Sequence, residues 1–172
     1  MMAQSEHLVF VIGGARSGKS LLAEARALSL PGRPVYIATA TAGDAEMEAR
    51  IAAHRARRDA RWTDVEAPLD LLGALTLTDG QGARLVDCLT LWLSNLMFAG
   101  RDWRAEGEAL ARALPSQVSP VILVTNEVGL GIVPDNALAR AFRDAAGTLN
   151  QTIATACDEV ILAVAGLPMK VK

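Results

Sequence analysis

Eight consecutive residues carry the first chemical signal of the chain: Gly13, Gly14, Ala15, Arg16, Ser17, Gly18, Lys19 and Ser20 fit the spacing G-x-x-x-x-G-K-S/T. Glycines let the backbone turn successive N–H groups inward around phosphate oxygens, and a helix that starts at the lysine aims its partial positive end at the same anion. Lys19 adds a full charge for the terminal phosphates of ATP or GTP, and the Ser20 hydroxyl is placed to ligate Mg²⁺. A phosphate loop also needs an acid on a neighbouring strand to hold the metal, and the run Leu85-Val86-Asp87 ends in one. Asp87 has a second reading as the cap of a helix that begins near Thr90, and both stay open at this point.

The other chemical candidate is a histidine among arginines. A helix opened by Asp44 carries Glu46 and Glu48 in its first turns, then Arg50, His54, Arg55, Arg57, Arg58 and Arg61, with Met47 and Ile51 as an apolar foothold. Residues four apart share a face, so Arg50, His54 and Arg58 form one stripe, and Arg57 lies three positions from His54. A neutral imidazole beside guanidinium groups resists protonation, stays nucleophilic near pH 7 and is able to attack a nucleotide α-phosphorus, while the arginines neutralise the phosphates. The competing reading is a solvated basic face with an incidental histidine. His7 lies in a stretch expected to fray and is given no chemical task.

These residues need a scaffold that sets them at one edge of a sheet. Runs rich in Val, Ile and Leu at 8–12, 35–38, 84–88, 121–125 and 159–164 are bounded by Gly, Pro or polar residues and predict buried parallel strands. Helical periodicity over 19–30, 44–61, 89–98, 105–114 and 135–157 alternates with them. The alternation predicts an α/β fold, a P-loop NTPase of RecA-like type with a mostly parallel sheet and helices on both faces. In the last helix Leu138, Phe142, Leu149, Ile153 and Ala156 form the stripe expected to pack on the sheet, with Asp135 as N-cap.

Composition narrows the classes. The 172 residues are expected to make one domain, and 51% hydrophobic residues allow a full core. A net charge of −2 argues against a dedicated nucleic-acid binder. No apolar run is long enough to span a bilayer and the start does not resemble a signal peptide, so the expected location is cytoplasmic. Cys88 and Cys157 lie outside any metal or disulfide spacing and are expected in the core. A regulatory GTPase would normally select guanine with N-K-x-D, and the nearest run, Val124-Thr125-Asn126-Glu127, lacks the lysine. A simple small-molecule kinase would use Lys19, Ser20 and Asp87 but leave His54 without a task.

Taken together, GGARSGKS, VYIATA, EMEARIAAHRARR, LVDCLTLWLSNL and VTNEVGLGIVPDNALARAFRDAAGTLNQ resemble the bifunctional adenosylcobinamide kinase/adenosylcobinamide-phosphate guanylyltransferase family of cobalamin biosynthesis, over nearly the whole chain. The R-I-x-x-H-R-x-x-R helix and the TNEVG-x-GIVP-x-N stretch are its more diagnostic parts. The resemblance implies two reactions: phosphorylation of the aminopropanol hydroxyl of adenosylcobinamide by GTP or ATP, and transfer of GMP from GTP to that phosphate through a GMP-histidine. It places that histidine at His54. It also implies nucleotide contacts from Gly13–Ser20, from Ala38, Thr39 and Ala40, from Arg55, Ala56, Arg57 and Arg58, and from Glu66 and Asp87. A homotrimer is implied as well, for which the amphipathic segment 89–98 with Trp92 and Phe98 is a candidate interface as much as a core element.

Overall fold

The computed structural model describes residues 7–172, apart from the side chain of Arg50. Seven strands form one sheet: β1 (Leu8–Gly13), β2 (Val35–Ala38), β3 (Thr63–Glu66), β4 (Arg84–Asp87), β5 (Val121–Asn126), β6 (Glu159–Val164) and β7 (Leu167–Lys170), in the order β3-β2-β4-β5-β1-β6-β7. All neighbours pair parallel except β6 and β7, which form an antiparallel hairpin. Among the described residues six α-helices accompany them: α1 (Lys19–Leu28), α2 (Ala45–Arg57), α3 (Leu71–Leu77), α4 (Leu89–Phe98), α5 (Trp103–Ala113) and α6 (Ala137–Ala156).

The five apolar runs predicted as strands are β1, β2, β4, β5 and β6, whose side chains are buried on both faces, as a parallel sheet between helices requires. One face packs under α3, α4, α5 and α6 through residues such as Phe10, Leu71, Leu93, Leu110 and Leu149. The opposite face packs under α1 through Val9, Val11, Ala23 and Ala27, with Trp62.

Several expectations are corrected. Strands β3 and β7 and helix α3 carry no clear sequence pattern and were not expected. Helix α6 is capped by Asn136, whose side chain accepts from the Ala139 amide at 2.8 Å, and not by Asp135. Its first turn projects past the sheet, leaving Leu138 64% exposed, outside the stripe that Leu149 and Ile153 bury. Helix α2 ends at Arg57, short of the expected Arg61, because Arg58 turns to extended backbone. Trp92 is in the core and donates to the Leu69 carbonyl at 2.9 Å, whereas Phe98 is exposed. His7 does not fray: its Nε2 lies 2.8 Å from the Gln117 carbonyl oxygen, at the N-terminal edge of the sheet far from the phosphate loop.

At that same edge β4 opens with a fully buried arginine. Arg84 is held by Asp79 at 2.9 Å, by the Leu75 and Ser119 carbonyls and by Gln117. Burial pulls the Asp79 carboxyl upward, but the amides of Val118 and Ser119 and the charge of Arg84 outweigh it and hold the group below its ordinary value. Asp79→Ala leaves a buried charge short of its counterion and is expected to lose about 3 kcal/mol in urea unfolding at pH 7. Because the folded-state pKa is depressed, this contribution is present above the ordinary aspartate range and vanishes as pH falls below it, so variant and parent converge in acid.

Candidate nucleotide and histidine site

The parallel registers bring the C-terminal ends of five strands to one edge: Gly13 beside Asn126, and Ala38 beside both Asp87 and Glu66. Open α/β sheets bind ligands outside this edge. A cavity of about 700 Å³ lies here, lined by Ala15 to Ser20, by Ala38 and Ala40, by Tyr36, Asp87 and Cys88, by Met47, Ile51, His54 and Arg57 of α2 with Arg58 just past its end, and by Asn126 and Glu127.

The capping pattern marks which helix ends serve this cavity. Helices α2, α3, α5 and α6 carry side-chain caps from Asp44, Asp70, Asp102 and Asn136. Helices α1 and α4 carry none and have no acid in their first turns, and their cap residues, Gly18 and Cys88, line the cavity. The positive ends of α1 and α4 thus point at the space where an anion fits. Asp87 is accordingly not the cap of α4.

The phosphate loop is braced from below. Gly18 adopts φ +91°, and a Cβ placed on it would stand 2.8 Å from the Gly166 Cα in the β6–β7 turn. That turn, with Ala165 and Gly166 at positive φ, donates from the Gly166 amide to the Ser17 carbonyl at 2.8 Å. Gly18→Ala therefore incurs both a backbone clash and a strained φ. It is expected to weaken nucleotide binding at least tenfold by titration and to lower the melting temperature. Lys19 reaches back to the Gly14 carbonyl at 3.0 Å. The Ser17 hydroxyl is buried and has no hydrogen-bond partner among the described residues.

Helix α2 sets His54 into the cavity wall opposite the loop. Its Nδ1 lies 3.2 Å from Arg57 Nη2 and 3.7 Å from Asp87 Oδ2. Arg57 also pairs with Glu24 of α1 at 3.3 Å. Arg58, 6% exposed in its side chain, bonds the His54 carbonyl at 3.0 Å and Asp64 at 2.8 Å, and its guanidinium sits 3.7 Å over the Tyr36 ring. The imidazole is held below its ordinary pKa, first by burial and then by Arg57 and Arg58, against the opposing charges of Asp87 and Glu24.

The remaining expected residues separate into two groups. Thr39 is fully buried and absent from the lining; its hydroxyl donates to the Cys88 carbonyl at 2.7 Å and accepts from the Cys88 amide at 2.8 Å, tying the ends of β2 and β4 together. Arg55 and Glu66 pair with each other at 3.0 Å in an exposed position, and neither they nor Ala56 line the cavity. Arg50, the first member of the expected stripe, has its side chain outside the described residues. Both cysteines are buried, and burial pushes the Cys88 thiol up to about 11.

Tyr36, Glu24, Asn126 and Glu127 were not singled out as site residues. The TNEVG run flagged the last two, at the C-terminal end of β5 and just beyond it, over a buried polar chain of Thr90, Thr125 and Asn150. Tyr36 reads as an ordinary strand residue until the fold places it beside Asp87.

A Mg²⁺ ion fits the oxygen donors that face the cavity, the Ser20 hydroxyl and the Asp87 carboxylate. Among the described residues no group of three or more His, Cys, Asp or Glu side chains gathers to hold a metal unaided. No helix of the described residues is long and apolar enough to cross a membrane.

The chain is similar to three curated proteins over nearly its whole length. The chain is 50% identical over 166 residues to the bifunctional adenosylcobalamin biosynthesis protein CobP of Pseudomonas aeruginosa, covering 94% of this chain and 95% of that one. It is 42% identical over 184 residues to the protein of like description, CobU, from Salmonella typhimurium, covering 96% and 99%. The CobU protein of Escherichia coli is 41% identical over 182 residues, covering 96% and 99%. The profile described as "Cobinamide kinase / cobinamide phosphate guanyltransferase" matches residues 9–171, from the strand that leads into the phosphate loop to the end of the hairpin that braces it, and the chain belongs to that family.

Proposed function

We propose that this enzyme carries out two displacements on nucleoside triphosphates in one cavity. The first moves the γ-phosphoryl group of GTP or ATP to the aminopropanol hydroxyl of adenosylcobinamide. The second moves GMP from GTP to adenosylcobinamide phosphate through a GMP-histidine on His54, giving adenosylcobinamide-GDP and pyrophosphate. The observation that carries the reading is the placement of His54, with its suppressed basicity, on the wall of the cavity that also holds the phosphate loop.

In the covalent step a lone pair of neutral His54 attacks the α-phosphorus, and the α–β bridging P–O bond breaks with its electrons leaving on pyrophosphate. A phosphate oxygen of the corrinoid then attacks the same phosphorus, and the P–N electrons return to the imidazole. Lys19, the loop amides and Arg57 stabilise the charge that builds on the phosphate oxygens. Mg²⁺, bound with Ser20 and Asp87, would add charge neutralisation at the phosphates. Arg55 and Glu66 lie outside the lining, and we assign them to the guanine base where it emerges from the cavity. The reading extends to a cytoplasmic homotrimer, in which the exposed Leu130, Ile132 and Val133 after β5 are apolar surface for a neighbouring subunit.

The test follows GTP labelled at the α-phosphate. Protein-bound label released by acid and stable to base supports a phosphorus–nitrogen bond; protein that stays unlabelled refutes it. Because burial, with the charges of Arg57 and Arg58, holds the His54 imidazole below its ordinary value, the acid limb of the labelling rate is expected to lie below the ordinary histidine range. An acid limb centred above pH 6.5 contradicts the site as described.

A further inference from the structure

We propose that Tyr36 is a positioning residue for the transferase step: its hydroxyl fixes the Asp87 carboxylate at His54 Nδ1, so that Nδ1 carries the proton and Nε2 is the attacking nitrogen. The inference rests on the GMP-histidine reading and adds to it a tautomer and the residue that selects it.

Tyr36 is 3% exposed, yet its hydroxyl reaches the cavity and donates to Asp87 Oδ2 at 2.6 Å, a short charge-assisted bond. Facing a carboxylate oxygen, which accepts, the phenol O–H is the donor. The ring is fixed edge-on to Trp62 at 5.8 Å and carries Arg58 on its face. Arg58 in turn holds the His54 carbonyl. One buried side chain thus sets both the carboxylate and the turn of α2 that bears the histidine.

His54 Nδ1 has two claimants. Arg57 is a donor at 3.2 Å and requires Nδ1 to accept, with the proton on Nε2; Asp87 is an acceptor at 3.7 Å and requires Nδ1–H. An arriving triphosphate competes for Arg57, a guanidinium that Glu24 already shares. Once Arg57 turns to phosphate, a shift of about half an ångström brings Nδ1–H into hydrogen-bond range of Asp87. The lone pair then sits on Nε2. When that lone pair forms the P–N bond and pyrophosphate departs, the positive charge of the ring is met at Nδ1 by the carboxylate. Oδ2 is the atom that both Tyr36 and His54 face, which leaves Oδ1 for other partners.

The chain has only two histidines, so ¹⁵N labelling of histidine with His7→Gln as background isolates His54. In complex with α,β-methylene-GTP, whose α–β link does not cleave, His54 is expected as the Nδ1–H tautomer. In Tyr36→Phe, which keeps the ring under Arg58, the population shifts toward Nε2–H. Labelling from GTP at saturation slows about tenfold or more, while half-saturating GTP changes less than about twofold. Asp87→Asn reproduces the tautomer change. An Nε2–H tautomer in the parent complex, a Tyr36→Phe spectrum and labelling rate matching the parent, or a loss confined to half-saturating GTP each overturns the positioning role. A parent protein that never takes up label refutes the covalent reading itself, a result distinct from a labelled parent with an indifferent Tyr36→Phe.

Discussion

His54→Ala is expected to abolish protein-bound GMP and to slow guanylyl transfer to adenosylcobinamide phosphate by about 10⁴-fold or more, while phosphorylation of adenosylcobinamide falls by less than about tenfold. The asymmetry follows from what the imidazole touches. Its loss leaves Arg57 paired with Glu24, Asp87 bonded to Tyr36, and Arg58 bonded to Asp64 and stacked on Tyr36. The cavity wall therefore persists, and stability changes by less than about 1 kcal/mol, the usual range for a half-exposed residue outside the core. Only the step that needs a nucleophile at the α-phosphorus loses its reactant. Rate assays of the two half reactions, run beside a thermal melt, separate this outcome from unfolding; equal loss of both rates would mean that His54 serves the loop and not the covalent step.

Lys19→Ala is expected to slow both reactions by about 10²-fold or more, because the loop and its lysine hold the same triphosphate whichever phosphorus is attacked. The ammonium sits at 3.0 Å from the Gly14 carbonyl, at the start of a helix whose amides carry no side-chain cap. The remaining amides still bind phosphate, but the full charge that grows in value as negative charge develops is gone. Lys19→Arg is a poor substitute, since a planar, delocalised fork does not replace a compact point charge at the terminal phosphates. Steady-state assays of each activity with matched nucleotide titrations check this: a loss in one reaction alone would contradict a shared phosphate site.

The central strands were legible because burial on both faces writes them as unbroken apolar runs, and the phosphate loop because its chemistry fixes residue types at fixed spacing. The edge strands follow different rules. Thr63–Glu66 alternates half-buried with exposed residues, and Leu167–Lys170 is exposed throughout and contains Pro168, which an edge tolerates and an interior strand does not. Helix α3 is seven residues long with Gly73 inside it, too short for periodicity to speak. At the site, His54 and Arg58 declared themselves by helical spacing. Asp87 showed itself at a strand end, although its task needed the neighbour that binds it. Tyr36 and Glu24 stayed hidden, because their roles come from strands and helices that meet only in three dimensions.

The central claim is a GMP bonded to His54, and mass spectrometry reads it directly. After incubation with GTP and Mg²⁺, the protein is expected to gain the mass of one GMP, and fragmentation at neutral pH to place it on His54 in the peptide from α2. The gain should disappear on brief acid treatment or on addition of pyrophosphate, which reverses the loading. An adduct on any other residue, or a protein that turns over both substrates without ever gaining that mass, would contradict the account.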